Sequence, residues 1–279
     1  MRLGVMTHHL ERPTIGALAG AVAEYGLSSV QLNLDSAGLP EIPGDFDADL
    51  CRRIRTAFER HDITIAAVSG TFNMIDPDRE RLHQVIERYD TLLQWTRELG
   101  CTVVTACTGT RNPASMWRHH PDNATNEAWD DLMATTRLLI PLAEQRGVTI
   151  AFEPEVVNVV DTAEKAQRYI QQTGSDRLRV VMDPANYFRP EMLMHMESVL
   201  DDIFTRVGSY IALAHAKDVR PPNPDGTECV RPAAGTGQLD YARYIRLLTE
   251  SGYDGGLVMH SLSEAEVPAS AAYVRRFLS

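Results

Sequence analysis

Apolar positions along the chain alternate between two spacings. Short runs rich in Val, Ile, Leu and Ala, bounded by turn residues, read as strands, and longer stretches with apolar residues three and four apart read as helices. Strands are predicted over residues 2–7, 29–34, 63–69, 102–108, 148–153, 178–183, 210–215 and 256–260. Each precedes a helical pattern, over 14–25, 46–61, 78–99, 123–146, 161–173, 196–207, 241–251 and 266–277. Gly26, Gly100, Gly147, Gly174, Gly208 and Gly252 stand at or just past the last periodic residue, where a left-handed residue ends a helix. Asp161 is the expected N-cap of the fifth helix, with Glu164 in the capping-box position.

Eight strand–helix units in 279 residues suit an α/β fold, a closed (β/α)8 TIM barrel forming one domain over 1–279. A doubly wound open sheet usually carries a GxGxxG turn after its first strand, and none is present. The longest expected loops, 109–122 and 219–238, follow the fourth and seventh strands. Loops of that length in a compact domain are usually functional or disordered.

In such a barrel the active site lies where the strands end, and inward side chains alternate along each strand. If Ala151 points inward, so do Glu153 and Glu155. The sixth strand ends in Asp183, the seventh in His215 followed by Lys217, and the eighth in His260. A carboxylate closing an apolar strand is costly to bury unless it is paired or binds a cation. Each residue alone is as well read as a helix cap or a filler of the barrel mouth. Together, Glu153, Asp183, His215 and His260 at equivalent positions make a divalent-metal shell.

A cation bound there would ease removal of a proton beside a carbonyl, and a nearby base must take that proton. Glu153 and Glu155 are the candidate bases, with His260 next if it is not a ligand. Lys217 is read either as stabilising an oxyanion or as a salt bridge to Glu155 or Asp183. Arg111, Trp117 and His120 in the long loop, Asn186 after Asp183, and His8 after the first strand are substrate-facing candidates. Strand parity with Met6 turns His8 inward and His9 away. Trp117 and the loop histidines read equally well as a hydrophobic plug and solvated loop residues. Ser69 and Cys107 have no partnered histidine in sequence, which disfavours nucleophilic catalysis. The Gly235–Gly237 turn lacks the Lys-Ser/Thr of a phosphate loop.

Charge and composition narrow the partners. There are 27 basic and 38 acidic side chains, a net of −11, with no basic block, so nucleic acid is not expected. Four scattered cysteines give no disulfide framework, and no apolar run reaches membrane-spanning length. The N-terminus is too polar for a signal peptide. A cytoplasmic protein acting on a small carbohydrate-like molecule, without a membrane partner, is expected.

The segments AFEPE at 151–155, VMDPAN at 181–186, AHAKD at 214–218 and GYDGGLVMHSLSE at 252–264 carry a wider resemblance. The chain is similar, over nearly its whole length, to the xylose-isomerase-like barrel superfamily of sugar isomerases, ketose epimerases and apurinic endonucleases. GTRNP at 109–113 and MWRHHPDN at 116–123 look like a loop of the sugar phosphate isomerase/epimerase subgroup. The resemblance implies Mn, Mg, Zn or Co held through Glu, Asp, His and a final Glu, which lands on Glu153, Asp183 and His215. The fourth position departs from that pattern: His260 replaces the final Glu, which favours Zn or Co and removes one of the two facing glutamates of the ketose epimerases. Glu264, four residues on, is not placed in the site. The expected function is a divalent-metal-dependent isomerase or epimerase of a sugar, keto-sugar or sugar phosphate. The rivals are a metal-dependent lyase or dehydratase and a non-catalytic sugar-binding barrel. The charge and the ligand count disfavour an apurinic endonuclease. Barrels of this type often pair through their catalytic-end loops, so a homo-oligomer is compatible with this reading.

Overall fold

Strands buried on both faces and helix caps at most joints set the architecture of the computed structural model, which describes residues 1–224 and 226–278. Asp225, inside the expected 219–238 loop, and Ser279, the last residue of the expected domain, lie outside the described residues. The strands are β1 (Arg2–Met6), β2 (Ser29–Leu32), β3 (Thr64–Asn73), β4 (Val103–Cys107), β5 (Thr149–Glu153), β6 (Leu178–Met182), β7 (Ile211–Ala216) and β8 (Gly256–Met259). They pair in sequence order, all parallel, and β8 closes on β1. The helices are α1 (Ile15–Glu24), α2 (Ala48–Glu59), α3 (Arg79–Glu98), α4 (Asn126–Arg146), α5 (Ala163–Thr173), α6 (Met196–Val207), α7 (Tyr241–Glu250) and α8 (Val267–Arg275). This is the (β/α)8 TIM barrel that the sequence predicts.

Side-chain oxygens of Thr14, Asp47, Asp78, Thr125, Thr162 and Asp240 accept a backbone N–H in the first turn of α1, α2, α3, α4, α5 and α7. Such caps contribute about 1 kcal/mol each. The cap of α5 is therefore Thr162 and not the expected Asp161, whose carboxylate instead pairs with Lys165 and Arg189, both at 2.7 Å. Gly26, Gly100, Gly147, Gly174 and Gly252 adopt the left-handed conformation expected of them. Gly208 does not: its φ of −57° carries α6 on into a 3-10 turn.

Two apolar layers result. Val5, Val30, Val68, Val104, Phe152, Val180, Ala214 and Leu257 face outward and pack with helix residues such as Leu18, Ile54, Leu92, Leu139, Tyr169 and Tyr244. Met6, Ala67, Ala151, Val181, Leu213 and Val258 form a separate cluster inside the barrel. Because strand side chains alternate with a period of two, the residues two positions beyond Ala151, Val181, Leu213 and Val258 rise from this interior layer to the C-terminal mouth. They are Glu153, Asp183, His215 and His260. Among the described residues no helix is long and apolar enough to cross a membrane.

The two long loops are fastened from within. Asp218 accepts hydrogen bonds from the backbone N–H of Val219, Gly235 and Leu239, which folds the β7–α7 loop back over the barrel end. In the β4–α4 loop, Asn123 accepts from Arg111 N–H and donates to Val157 O. At the root of that loop Gly109 has φ +83°, and a Cβ there would lie 2.1 Å from Asn73 Oδ1 and 2.9 Å from Met74 N. Gly109→Ala should therefore destabilise the protein by roughly 2 kcal/mol or more, seen as a lower urea midpoint with unchanged slope. An unshifted midpoint would show that the loop root tolerates a side chain.

Candidate active site

Asp183 follows β6 and is completely buried. A carboxylate in that position needs cationic neighbours, and β7 with the residue that follows it supplies two. Lys217 Nζ lies 3.0 Å from Asp183 Oδ2, and His215 Nδ1 lies 3.6 Å from the same oxygen and 3.3 Å from Glu153 Oε1. Burial opposes the charge of Asp183, but Lys217 and then His215 more than offset it and hold the carboxyl well below its usual range. Burial likewise opposes the charges of His215 and Lys217. Glu153 and Asp183 nevertheless raise His215 to about 9, while Asp183, Glu153 and Glu155 raise Lys217. Of the two readings of Lys217, the structure displays the ion pair.

The orientation of His215 is set by a residue the sequence reading passed over. Gln31, on β2 and buried, donates through Nε2 to Ser69 Oγ at 2.9 Å and Thr105 Oγ1 at 3.3 Å. Its carbonyl oxygen is thereby turned to His215 Nε2 at 2.8 Å. Nε2 donates in that contact, which turns Nδ1 toward Glu153 and Asp183. The signal in the sequence was an amide set between two apolar strand residues, Val30 and Leu32. The phenol of Tyr244 on α7 adds support from behind by donating toward the carbonyls of Met182 and His215.

Glu153 and Glu155 are joined by Asn186, whose Nδ2 donates to Glu153 Oε1 at 2.7 Å and Glu155 Oε1 at 3.0 Å. Burial, reinforced by the neighbouring charge of Glu153, pushes the Glu155 carboxyl up to about 7. Arg231, a second residue missed in the sequence, opposes that shift, and its guanidinium donates to Ala185 O and Phe188 O. Asn186 fixes the position of this carboxyl beside Glu153.

His260 lies with two other imidazoles. Ligand-capable atoms of His8, His9 and His260 fall within 4.8 Å of one another, as a separate group do those of Glu153, Asp183 and His215. His260 borders both groups, with its ring centroid 5.4 Å from that of His215. Residues Thr7–His9 form a 3-10 turn, so β1 ends at Met6 and strand parity no longer governs the two histidines. This corrects the expectation that one faces the mouth and the other away: both join the cluster. Burial, then the charge of His8, lowers His9 to about 4, and burial with the charges of Lys217 and His215 keeps His260 well below its usual value. Directly after His260, Ser261 takes a left-handed φ of 56°, a costly conformation for a residue with a Cβ.

The remaining candidates lie apart from the carboxylates. Arg111 donates to Ile75 O and Glu127 O and pairs with Asp131 on α4, so its guanidinium is committed to the helix layer. Trp117 is 55% exposed, and His120 Nδ1 accepts from Asp122 N–H as the cap of a 3-10 turn. Glu264 is held by Arg12 at 2.5 Å and by the Tyr25 hydroxyl at 2.9 Å. Cys107 is buried, its thiol directed to Phe72 O and pushed far above its usual pKa by burial. Beside the mouth, a cavity of about 410 Å³ is lined by Glu41, Asn73, Arg81, Asn112 and Met116.

The donor set fits a divalent cation. Glu153, Asp183 and His215 bring two carboxylates and one imidazole to a common point. Asp183 Oδ1, Asn186 Oδ1 and the Tyr187 hydroxyl are buried without a hydrogen-bond partner among the described residues. Groups left in that state typically cost about 1–3 kcal/mol each, which a ligand would offset. Gln31 supplies the outer hydrogen bond that metal-bound histidines usually have.

Two outcomes follow. Gln31→Leu should weaken Zn²⁺ or Mn²⁺ binding by about 10–100-fold in calorimetric titration, and equal affinity would remove Gln31 from the site. At Asp131, burial disfavours the charge, but Arg111 and Arg79 overcome it and hold the carboxyl below its usual value. A depressed carboxyl stabilises the fold above its unfolded pKa of roughly 3.9 and loses that effect as pH falls through the native value. Asp131→Asn should lower the urea midpoint at pH 7, with the gap from wild type closing below about pH 4. A gap that stays constant as the pH is lowered through the acid range would contradict this.

The chain matches the family model of the xylose isomerase-like TIM barrel over residues 19–277. An inosose dehydratase of Geobacillus kaustophilus (strain HTA426) is 20% identical over 248 residues, covering 80% of this chain and 75% of that relative. The apo structure of 3-keto-D-glucoside 4-epimerase, YcjR, from E. coli superposes with a TM-score of 0.73 at 16% identity, covering 99% of each chain. The IOLI protein with a bound zinc atom gives a TM-score of 0.71 at 19% identity, covering 100% of this chain and 96% of its own. At such identities the structural likeness shows the fold. The family match spans nearly the whole sequence, and the protein belongs to the xylose isomerase-like TIM barrel family.

Proposed function

We propose that this protein is a divalent-metal-dependent isomerase or epimerase of a sugar or keto-sugar, working by removal of a proton beside a carbonyl. The observation that carries the reading is the convergence of Glu153, Asp183 and His215 next to a second carboxyl, Glu155, which Asn186 aligns with Glu153. A cation held by Glu153, Asp183 and His215 would polarise the substrate carbonyl and make the adjacent C–H more acidic.

The chain's own groups supply the remainder. Glu155 takes the proton at a carboxylate oxygen, and Asn186 keeps that carboxylate aligned with Glu153. Lys217 neutralises Asp183, and Gln31 fixes the ring of His215. Glu155 returning the proton to the neighbouring carbon gives an isomer, whereas an epimer requires a second group, for which His260 is the candidate, to deliver a proton from the opposite face. The epimerase neighbour and the zinc-holding neighbour support this reading by likeness of fold.

A dehydratase is the second reading, and His260 is what favours it. An imidazole held uncharged, His260, follows β8, so no second carboxylate stands there to return a proton. The substrate would then expel a β-hydroxyl, which leaves as water after taking a proton, as the name of the inosose dehydratase relative suggests.

The test is turnover of ketoses and inososes in deuterated water with Mn²⁺, Co²⁺ or Zn²⁺ present. Solvent deuterium in a product otherwise unchanged in mass supports isomerisation or epimerisation, and a product lighter by one water supports dehydration. Glu155→Gln should lower kcat at least about 100-fold in either case while metal binding is kept. Neither exchange nor turnover across the panel, with metal bound, would overturn the enzymatic reading.

A further inference from the structure

The imidazoles of His8, His9 and His260 stand apart from the carboxylates as a built arrangement of their own. His8 and His9 are 4.0 Å apart between ring centroids, His9 and His260 5.8 Å, and His8 and His260 6.4 Å. Three nitrogens around a tetrahedral ion at usual zinc–imidazole distances would sit roughly 3.4 Å from one another. A group already within 4.8 Å reaches that spacing by small side-chain rotations. His9 Nε2 and His260 Nδ1 are buried yet make no hydrogen bond among the described residues. A histidine that serves only to pack ordinarily satisfies such a nitrogen. His8, by contrast, is exposed and closes the group on the solvent side.

Two features of the chain hold these rings together. The 3-10 turn at Thr7–His9 turns consecutive histidines into one cluster, where a continuing strand would have separated them. Ser261, in its left-handed conformation, bends the chain immediately after His260. Neither the barrel closure nor the Glu153–Asp183–His215 group needs three imidazoles at this point.

We propose that His8, His9 and His260 form a second cation site, a three-imidazole cradle for a borderline-soft divalent ion of the zinc class. Ligand chemistry separates it from its neighbour. Two carboxylates and one imidazole accept hard ions such as Mn²⁺ or Mg²⁺ as well as zinc, whereas three imidazoles with no carboxylate select Zn²⁺, Co²⁺ or Cu²⁺. Three neutral ligands also leave the full dication charge in place, so the fourth position takes an anionic group, a hydroxide or the acidic group of a substrate. The site stands whichever reaction the carboxylates serve, and it holds even if they serve none.

Zinc itself is the probe. The full-length protein, stripped with a chelator and dialysed, is titrated with Zn²⁺ and its metal content counted by elemental analysis. The account expects two tight equivalents in wild type. His8→Ala, an exposed change with little cost to folding, should weaken one equivalent at least about tenfold and leave the other intact. Glu153→Gln combined with Asp183→Asn should remove the other and retain one. X-ray absorption on that variant should then report three imidazole nitrogens. A single equivalent in wild type, zinc binding unchanged by His8→Ala, or a retained ion with fewer than three imidazole nitrogens would overturn the second site. Loss of metal only in the Glu153→Gln, Asp183→Asn protein tests the carboxylate site separately, so the two readings fail independently.

Discussion

The buried charge of Asp183 is the constraint around which the barrel mouth is organised. A carboxylate with no exposed surface survives only beside opposite charge, which His215 on β7 and Lys217 just beyond its end supply. Breaking a pair of this kind by removing one partner typically costs about 3–5 kcal/mol, because the other charge stays behind. The cost is tolerated because the same arrangement concentrates Glu153, Asp183 and His215 at one point. Gln31, Ser69 and Thr105, deeper in the barrel, fix the imidazole through a chain of hydrogen bonds. Strain and desolvation at the mouth are balanced by the closed sheet and by the two apolar layers below and around it.

Most of this was legible because strands obey a period of two. Once Ala151, Val181, Leu213 and Val258 are taken as interior, Glu153, Asp183, His215 and His260 must follow at the mouth, and the interior cluster contains those four apolar residues. The repeated strand–helix pattern and the glycines after the helices likewise gave the barrel, with edges differing by a few residues.

Other features depended on tertiary partners that no local pattern reveals. Arg111 looked free in a loop, but α4 presents Asp131 and the Glu127 carbonyl to it. Asp161 looked like a cap, yet Thr162 is better placed and Lys165 and Arg189 take the carboxylate. The paired histidines were read by strand parity although the strand had already given way to a 3-10 turn. Gln31 and Arg231 act through residues distant in sequence, His215 in one case and the 185–188 backbone in the other.

The central claim is that Glu153, Asp183 and His215 together hold a divalent cation. Anomalous diffraction at the manganese edge, from a crystal of the full-length protein grown with Mn²⁺, tests it most directly. The account predicts a peak bonded to both carboxylates and to His215 Nδ1, with Gln31 still on Nε2. A well-ordered mouth with no peak there, and Asp183 paired to Lys217 alone, would contradict it.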